Sequence, residues 1–329
     1  MRLAALLTSF SLAAPAAAGD FRLQFPLDCT LGEDCHIQQF TDHDPGKGAT
    51  DFTCGTLSYD GHKGTDFALP YLSDMQAGVT VRAAADGVVR GTRNAMPDQY
   101  ADGANDAAID GKECGNGVVL SHGGGWETQY CHMKQGSVRV ESGQKVQAGD
   151  VLGEIGLSGK TQFPHLHLSV RKDGAVVDPF APDRPGRCGA APARTLWAKP
   201  PPYQPGGLLG AGFSAAIPGF GAVKAGAADQ SPLAADAPAM VFWAYAFGSR
   251  AGDRLELAVT GPGGEVVSHS EALERTQAQL FRAAGRRLRG GQWPAGTYTG
   301  TARLLRNGAE VDSFSRSMVI PPAADAASQ

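Results

Sequence analysis

Short apolar segments, each four to eight residues long and broken by glycine or proline, set the pattern of this chain. The clearest is Phe163-Pro164-His165-Leu166-His167-Leu168-Ser169-Val170, in which leucine and valine alternate with histidine and serine. Successive side chains of a strand point to opposite faces, so His165 and His167 share one face of a predicted strand. Further strands are predicted over 21–27, 37–40, 65–69, 118–121, 126–132 and 150–156. Residues 79–85 and 88–92 read as a hairpin turning at Asp86-Gly87. Within 126–132, alternation puts Tyr130 and His132 on one face and Cys131 on the other. Gly61 and Gly64 argue against a helix and give a turn feeding the strand at 65–69. This succession predicts an antiparallel sheet rather than a parallel α/β fold.

Residues 93–112 carry no such pattern and read as an inserted loop, either a functional lid or disordered. Residues 190–238 are rich in Ala, Gly and Pro, including Pro200-Pro201-Pro202, and read as a partly extended linker. Regular spacing returns at 240–247, 254–260, 266–270, 279–283, 297–305 and 313–320, which predicts a small β-sandwich. The expected organisation is therefore mainly β. A leader spans 1–18, an antiparallel β domain with an N-terminal extension 19–189, the linker 190–238, the sandwich 239–322 and a tail 323–329.

Composition alters this picture in three places. The apolar run from Leu3 to Ala18 follows Met1-Arg2 and ends in small residues, the pattern of a cleavable export signal. No further stretch is apolar enough to span a membrane, so the chain is expected in the periplasm or outside the cell. A net charge of -4 with no basic stripe excludes an electrostatic case for nucleic acid. Six cysteines behind an export signal read as disulfides, with Cys29–Cys35, Cys114–Cys131 and Cys54–Cys188 the favoured pairs; the absence of Cys-x-x-Cys disfavours a thiolate metal site.

The candidate chemistry lies in the histidines. His62 and Asp66 flank a turn, and either His165 or His167 completes a two-nitrogen, one-oxygen set suited to a catalytic zinc, which binds three protein ligands and keeps one position open. Zinc in such a site acidifies a water and polarises a carbonyl. The remaining histidine of the pair and His132 are placed to move a proton or hold an oxyanion. His36 and His43 show no ligand spacing and read as surface residues. His269, in the predicted sandwich, has no partner.

His62-Lys63-Gly64-Thr65-Asp66, Tyr130-Cys131-His132-Met133 and His165-Leu166-His167 resemble the three motifs of the M23 peptidases, the lysostaphin- and LytM-like zinc endopeptidases. The glycine-rich approach from Gly149 to Gly156 resembles that family too, and the likeness covers roughly Tyr59 to Asp178. It implies that His62, Asp66 and His167 bind Zn2+, that His132 and His165 act on the water and the oxyanion, and that the substrate is the peptide portion of bacterial peptidoglycan. Phe163 stands where the family usually has glycine, and Met133 where leucine is common. Two other readings are a non-catalytic wall-binding or hydrolase-activating module, and a secreted zinc protease acting on Gly-rich proteins. The predicted sandwich is expected to be a spacer or to bind wall or protein.

Overall fold

The computed structural model describes residues 21–189 and 192–322, so the predicted leader and tail lie outside the described residues. In the first part of the chain the strands are β1 (His36–Gln39), β2 (Thr65–Ala68), β3 (Thr80–Arg82), β4 (Gly87–Arg93), β5 (Asn116–Gly123), β6 (Trp126–Met133), β7 (Lys145–Val146), β8 (Val151–Glu154), β9 (His165–Lys172) and β10 (Ala175–Val176). Two short helices join them, α1 (Leu72–Ala77) and α2 (Asp106–Ile109). An eight-stranded antiparallel sheet runs β1-β2-β9-β6-β5-β4-β7 with β10 beside β9, while β3 and β8 form a separate pair. Leu166, Leu168 and Val170 of β9 point into one core with Phe67, Leu120 and Tyr130. The alternation read from the sequence therefore leaves His165 and His167 on the opposite face.

The second part contains β11 (Gly207–Ser214), α3 (Phe220–Ala225), β12 (Ala239–Ser249), β13 (Arg254–Gly261), β14 (Gly264–Ala272), β15 (Gln277–Arg287), β16 (Gly296–Arg306) and β17 (Ala309–Ile320). A three-stranded sheet, β11-β12-β15, faces a four-stranded one, β14-β13-β16-β17. Between them pack Phe213, Met240, Phe242, Leu255, Leu257, Tyr298 and Leu304. Every residue of β12 outside its first is buried. Its even positions fill the sandwich, whereas Trp243 and Tyr245 face outward against Val223, with Tyr71 of the first part packed beside them. A continuous apolar run is what a strand covered on both faces requires.

Several expectations are corrected. Residues 190–238 are not an extended linker throughout. Trp197 is buried in the first core, with Ala198 donating to the Leu23 carbonyl, and β11 is an edge strand of the sandwich. Burial of a few large side chains outweighed the Pro/Gly-rich composition. The predicted hairpin across Asp86-Gly87 does not form: β3 pairs with β8, and β4 pairs with β5 and β7. Ala83, Ala84 and Ala85 are small enough to pass through the core and carry the chain between the two sheets. Residues 21–27 make only isolated bridges, Leu23 to Trp197 and Leu27 to Val81.

All three favoured disulfides are present: Cys29–Cys35, Cys54–Cys188 and Cys114–Cys131. The inserted segment is ordered around α2 and buries Ile109. No helix among the described residues is long and apolar enough to cross a membrane.

Candidate metal centre

The register of β2 against β9 sets Asp66 directly opposite His167 and Ala68 opposite His165. Directly opposed residues of an antiparallel pair share a face, so the carboxylate and both imidazoles meet on the side away from the core. His62 joins them across a turn that leaves no room at Gly64. A Cβ there would lie 2.6 Å from the Leu168 carbonyl and 2.7 Å from His167 Nε2. Glycine is required by the close approach of the histidine strand, rather than by a bend in the backbone.

The three ligand-type atoms form a tight triangle. His62 Nε2 lies 3.1 Å from Asp66 Oδ1 and 3.1 Å from His167 Nδ1, and His167 Nδ1 lies 2.7 Å from Asp66 Oδ1. Their outer partners fix which nitrogen carries a proton. His62 Nδ1 lies 2.7 Å from the Phe40 carbonyl, which can only accept, so this nitrogen is the N–H and Nε2 turns to the triangle. Ser169 donates its one proton to the Lys63 carbonyl at 2.8 Å. Its oxygen therefore accepts from His167 Nε2–H at 3.0 Å, and Nδ1 presents a lone pair inward.

Two imidazole nitrogens and a carboxylate thus converge on one point with like polarity, which only a positive charge between them makes favourable. Burial opposes ionisation of Asp66, yet the neighbouring imidazoles of His62, His165 and His167 hold its carboxyl well below the usual carboxylate range. Burial likewise disfavours charge on His62, but the Asp66 carboxylate and the Phe40 carbonyl outweigh it and raise its pKa. A tetrahedral ion with bonds of about 2.0–2.1 Å needs donor edges of about 3.3 Å, so this triangle fits one after a slight opening. The histidine–carbonyl and histidine–serine contacts are the second shell expected of metal-binding imidazoles. One other group of metal-type side chains occurs among the described residues, Cys29, Asp34 and Cys35, but its two sulfurs are joined as a disulfide.

His132 and His165 stand beside the triangle with ring centroids 4.6 Å apart. His165 Nδ1 donates to the Phe163 carbonyl at 2.9 Å, with Thr161 Oγ1 at 3.1 Å, and its Nε2 lies 3.5 Å from Asp66 Oδ1. His132 Nδ1 donates to the Ser158 carbonyl at 2.8 Å. Both rings therefore offer a bare Nε2. Burial, reinforced by the neighbouring His165 and His167, pushes His132 well below the ordinary histidine range. Burial also lowers His165, only partly offset by Asp66.

The route by which His132 arrives differs from strand alternation. Tyr130 faces the core and donates toward nothing in the site; its hydroxyl accepts from the Ala84 amide. Cys131 lies opposite His167. His132 reaches the same side because its backbone takes φ 62°, a left-handed conformation uncommon for histidine, held by its amide to the Cys114 carbonyl and its carbonyl to the Gly156 amide.

Two histidines read as surface residues are buried. His43 Nε2 donates to Asp178 Oδ2 and Nδ1 to the Arg187 carbonyl, both at 2.7 Å. His36 bonds Gln38 and packs on Phe247, and burial lowers its pKa to about 4. Sequence reasoning missed Phe40, Thr161 and Ser169. No periodic signal marks a carbonyl or hydroxyl as a partner of a distant imidazole, although Ser169 does lie two residues beyond His167 on the same face.

The constellation is a candidate metal-binding site on an antiparallel sheet, and the model of peptidase family M23 matches residues 60–179. The chain is 36% identical over 117 residues to the peptidoglycan DD-endopeptidase ShyA of Vibrio cholerae, and the match covers 36% of this chain and 22% of that protein. It is 32% identical over 120 residues to the DD-carboxypeptidase/endopeptidase Mpg of Neisseria meningitidis, again over 36% of this chain and 22% of the relative. The chain thus spans less than a quarter of the length of these relatives. Among solved structures, the catalytic domain of the prophage-encoded M23 protein EnpA from Enterococcus faecalis aligns with 23% identity and a TM-score of 0.32, covering 49% of this chain and 96% of that one.

Proposed function

We propose that this protein is a zinc-dependent endopeptidase that hydrolyses peptide cross-links or bridges of bacterial peptidoglycan. The observation that carries this reading is the convergence of His62 Nε2, His167 Nδ1 and Asp66 Oδ1 within 2.7–3.1 Å, with both outer imidazole nitrogens already committed. Two nitrogens and one carboxylate oxygen are a catalytic zinc set with a position to spare. Zinc held there supplies a Lewis acid that polarises the scissile carbonyl and acidifies water.

The chain's own residues supply the rest. His132 and His165 are neutral in their buried setting, and their Nδ1 protons are occupied by carbonyls. Nε2 of one takes the proton of the attacking water. The imidazolium so formed donates to the oxyanion and then passes that proton to the leaving amine, while the second ring, whose Nε2 is bare, accepts from the other hydrogen of the water and orients it. Names borne by the relatives ShyA and Mpg support peptidoglycan as the substrate. Three disulfides support an exported protein, since such bonds persist in oxidising compartments. In this reading residues up to Gly189 form the catalytic unit, and the sandwich begins with β11 rather than at residue 239.

Purified protein loaded with zinc and incubated with defined sacculi is expected to release peptide-cleaved fragments, identified by mass spectrometry, with about one zinc per chain. His62→Ala should abolish both. A zinc-loaded wild type that releases no such fragment from any sacculus would overturn the reading.

A further inference from the structure

Phe163 separates the candidate metal centre from a cavity that the sandwich helps to build. One face of its ring stacks on His165 with centroids 4.3 Å apart. Its other surroundings include a hollow of about 450 Å³ lined by Gln162 and Phe163 from the approach to β9, Phe220 and Lys224 of α3, and Arg275 and Gln277 at the start of β15. The lining contains two cations and no carboxylate. Among the described residues neither Lys224 nor Arg275 has a carboxylate partner.

The cavity's two walls are fixed to each other. Gln38, fully buried on β1, donates to the Ala278 carbonyl at 2.8 Å and accepts from Gln279 Nε2 at 3.1 Å. β1 pairs with β2, the strand that carries Asp66. Lys224 is aimed by two rings, its Nζ lying 5.1 Å from the Tyr100 centroid and 5.4 Å from that of Phe220. Tyr100 belongs to the inserted segment, so insertion and sandwich meet around one ammonium group.

Aromatic, amide and cationic groups in one hollow match an extended peptide bearing a free carboxylate, with small apolar side chains against Phe163 and Phe220. We propose that this cavity is a substrate subsite in which Lys224 and Arg275 hold a carboxylate of the peptide whose neighbouring bond is presented to His165. The proposal rests on the endopeptidase reading. It makes the sandwich a wall of the substrate cleft, and Phe163 the divider between the carboxylate subsite and the catalytic histidine.

The test compares a cross-linked stem peptide carrying free carboxylates with two analogues, one amidated at its chain terminus and one amidated on its branch. Wild-type zinc protein is expected to favour the acid over the analogue lacking the recognised carboxylate by about tenfold, through KM with kcat unchanged. The analogue that loses the advantage identifies the source. Lys224→Gln and Arg275→Gln together should remove the preference, so that acid and amide are bound and cleaved alike.

Binding of the same peptides, followed by calorimetry on the full chain, gives a readout independent of turnover. Equal affinity for acid and amides in wild type, or a preference that survives the double substitution, overturns the subsite. A wild type that binds the acid preferentially but cleaves none of the peptides would instead sink the endopeptidase reading and leave the subsite standing.

Discussion

Ser169→Ala separates the ligand role proposed for His167 from the proton-handling role proposed for His165. Ser169 is buried, donates to the Lys63 carbonyl at 2.8 Å and accepts from His167 Nε2 at 3.0 Å. Alanine fits the space, so the fold should survive. What changes is the imidazole. With no acceptor on Nε2, the proton is free to sit on Nδ1, the atom that faces Asp66 at 2.7 Å, and a protonated nitrogen cannot bind a metal. One hydrogen bond net of solvent contributes about 0.5–1.5 kcal/mol, and loss of an outer-shell partner costs metal affinity by about 10–100-fold. Zinc affinity measured by competition with a chromogenic chelator should therefore fall by about 1.4–2.8 kcal/mol. Thr161→Val is the matched control. It removes a hydroxyl 3.1 Å from His165 Nδ1, while the Phe163 carbonyl remains at 2.9 Å. Zinc affinity should be unchanged there and turnover should fall a few-fold. If Ser169→Ala bound zinc as tightly as wild type while Thr161→Val lost it, His165 would be the ligand and the assignment would be refuted.

Other consequences follow from the same contacts. Asp98→Ala should lower turnover about tenfold with zinc affinity intact. Asp98 accepts from the Leu157 and Gln135 amides and so holds the turn whose Ser158 carbonyl orients His132; loss of metal binding would contradict that placement. Opening Cys54–Cys188, whose residues are 134 apart, should cost about 5 kcal/mol in chain-entropy terms, against about 2 kcal/mol for Cys29–Cys35, 6 apart. Urea denaturation of the two double Ser variants gives the order, and equal losses would argue against it. His43 has acceptors on both nitrogens, and although burial disfavours its charge, Asp178 and the backbone carbonyls raise its pKa. Its stabilisation is then complete below the unfolded histidine value of about 6.5 and fades as pH rises through the higher folded value. Denaturation across a pH series should show that alkaline decline in wild type and a flatter profile in His43→Gln.

Much of the site was legible because it lies on regular structure. A period of two put His165 and His167 together, and a short turn brought Asp66 within reach of His62. Alternation failed at His132, because a single left-handed residue moves the ring to the other face and no sequence rule marks a histidine for that conformation. It also failed for His36 and His43, since a polar side chain reads as exposed until its partner is known. Asp178 is 135 residues beyond His43.

The sequence alone determined local facts: most of the strands, the apolar face of those that alternate regularly, and which residue types are available to a metal. These depend on near neighbours and on side-chain periodicity. Tertiary structure decided which of those faces meet. It selected Phe40 and Ser169 to set the imidazole tautomers, passed Ala83 to Ala85 between two sheets where a hairpin was expected, and turned a proline-rich stretch into a buried tryptophan and an edge strand. It also covered β12 on both sides, and set the sandwich against the first part of the chain, with a cavity between it and the approach to β9. Each of those outcomes depends on contacts between residues far apart in the chain, whose energies exceed local propensity only after the whole fold has formed.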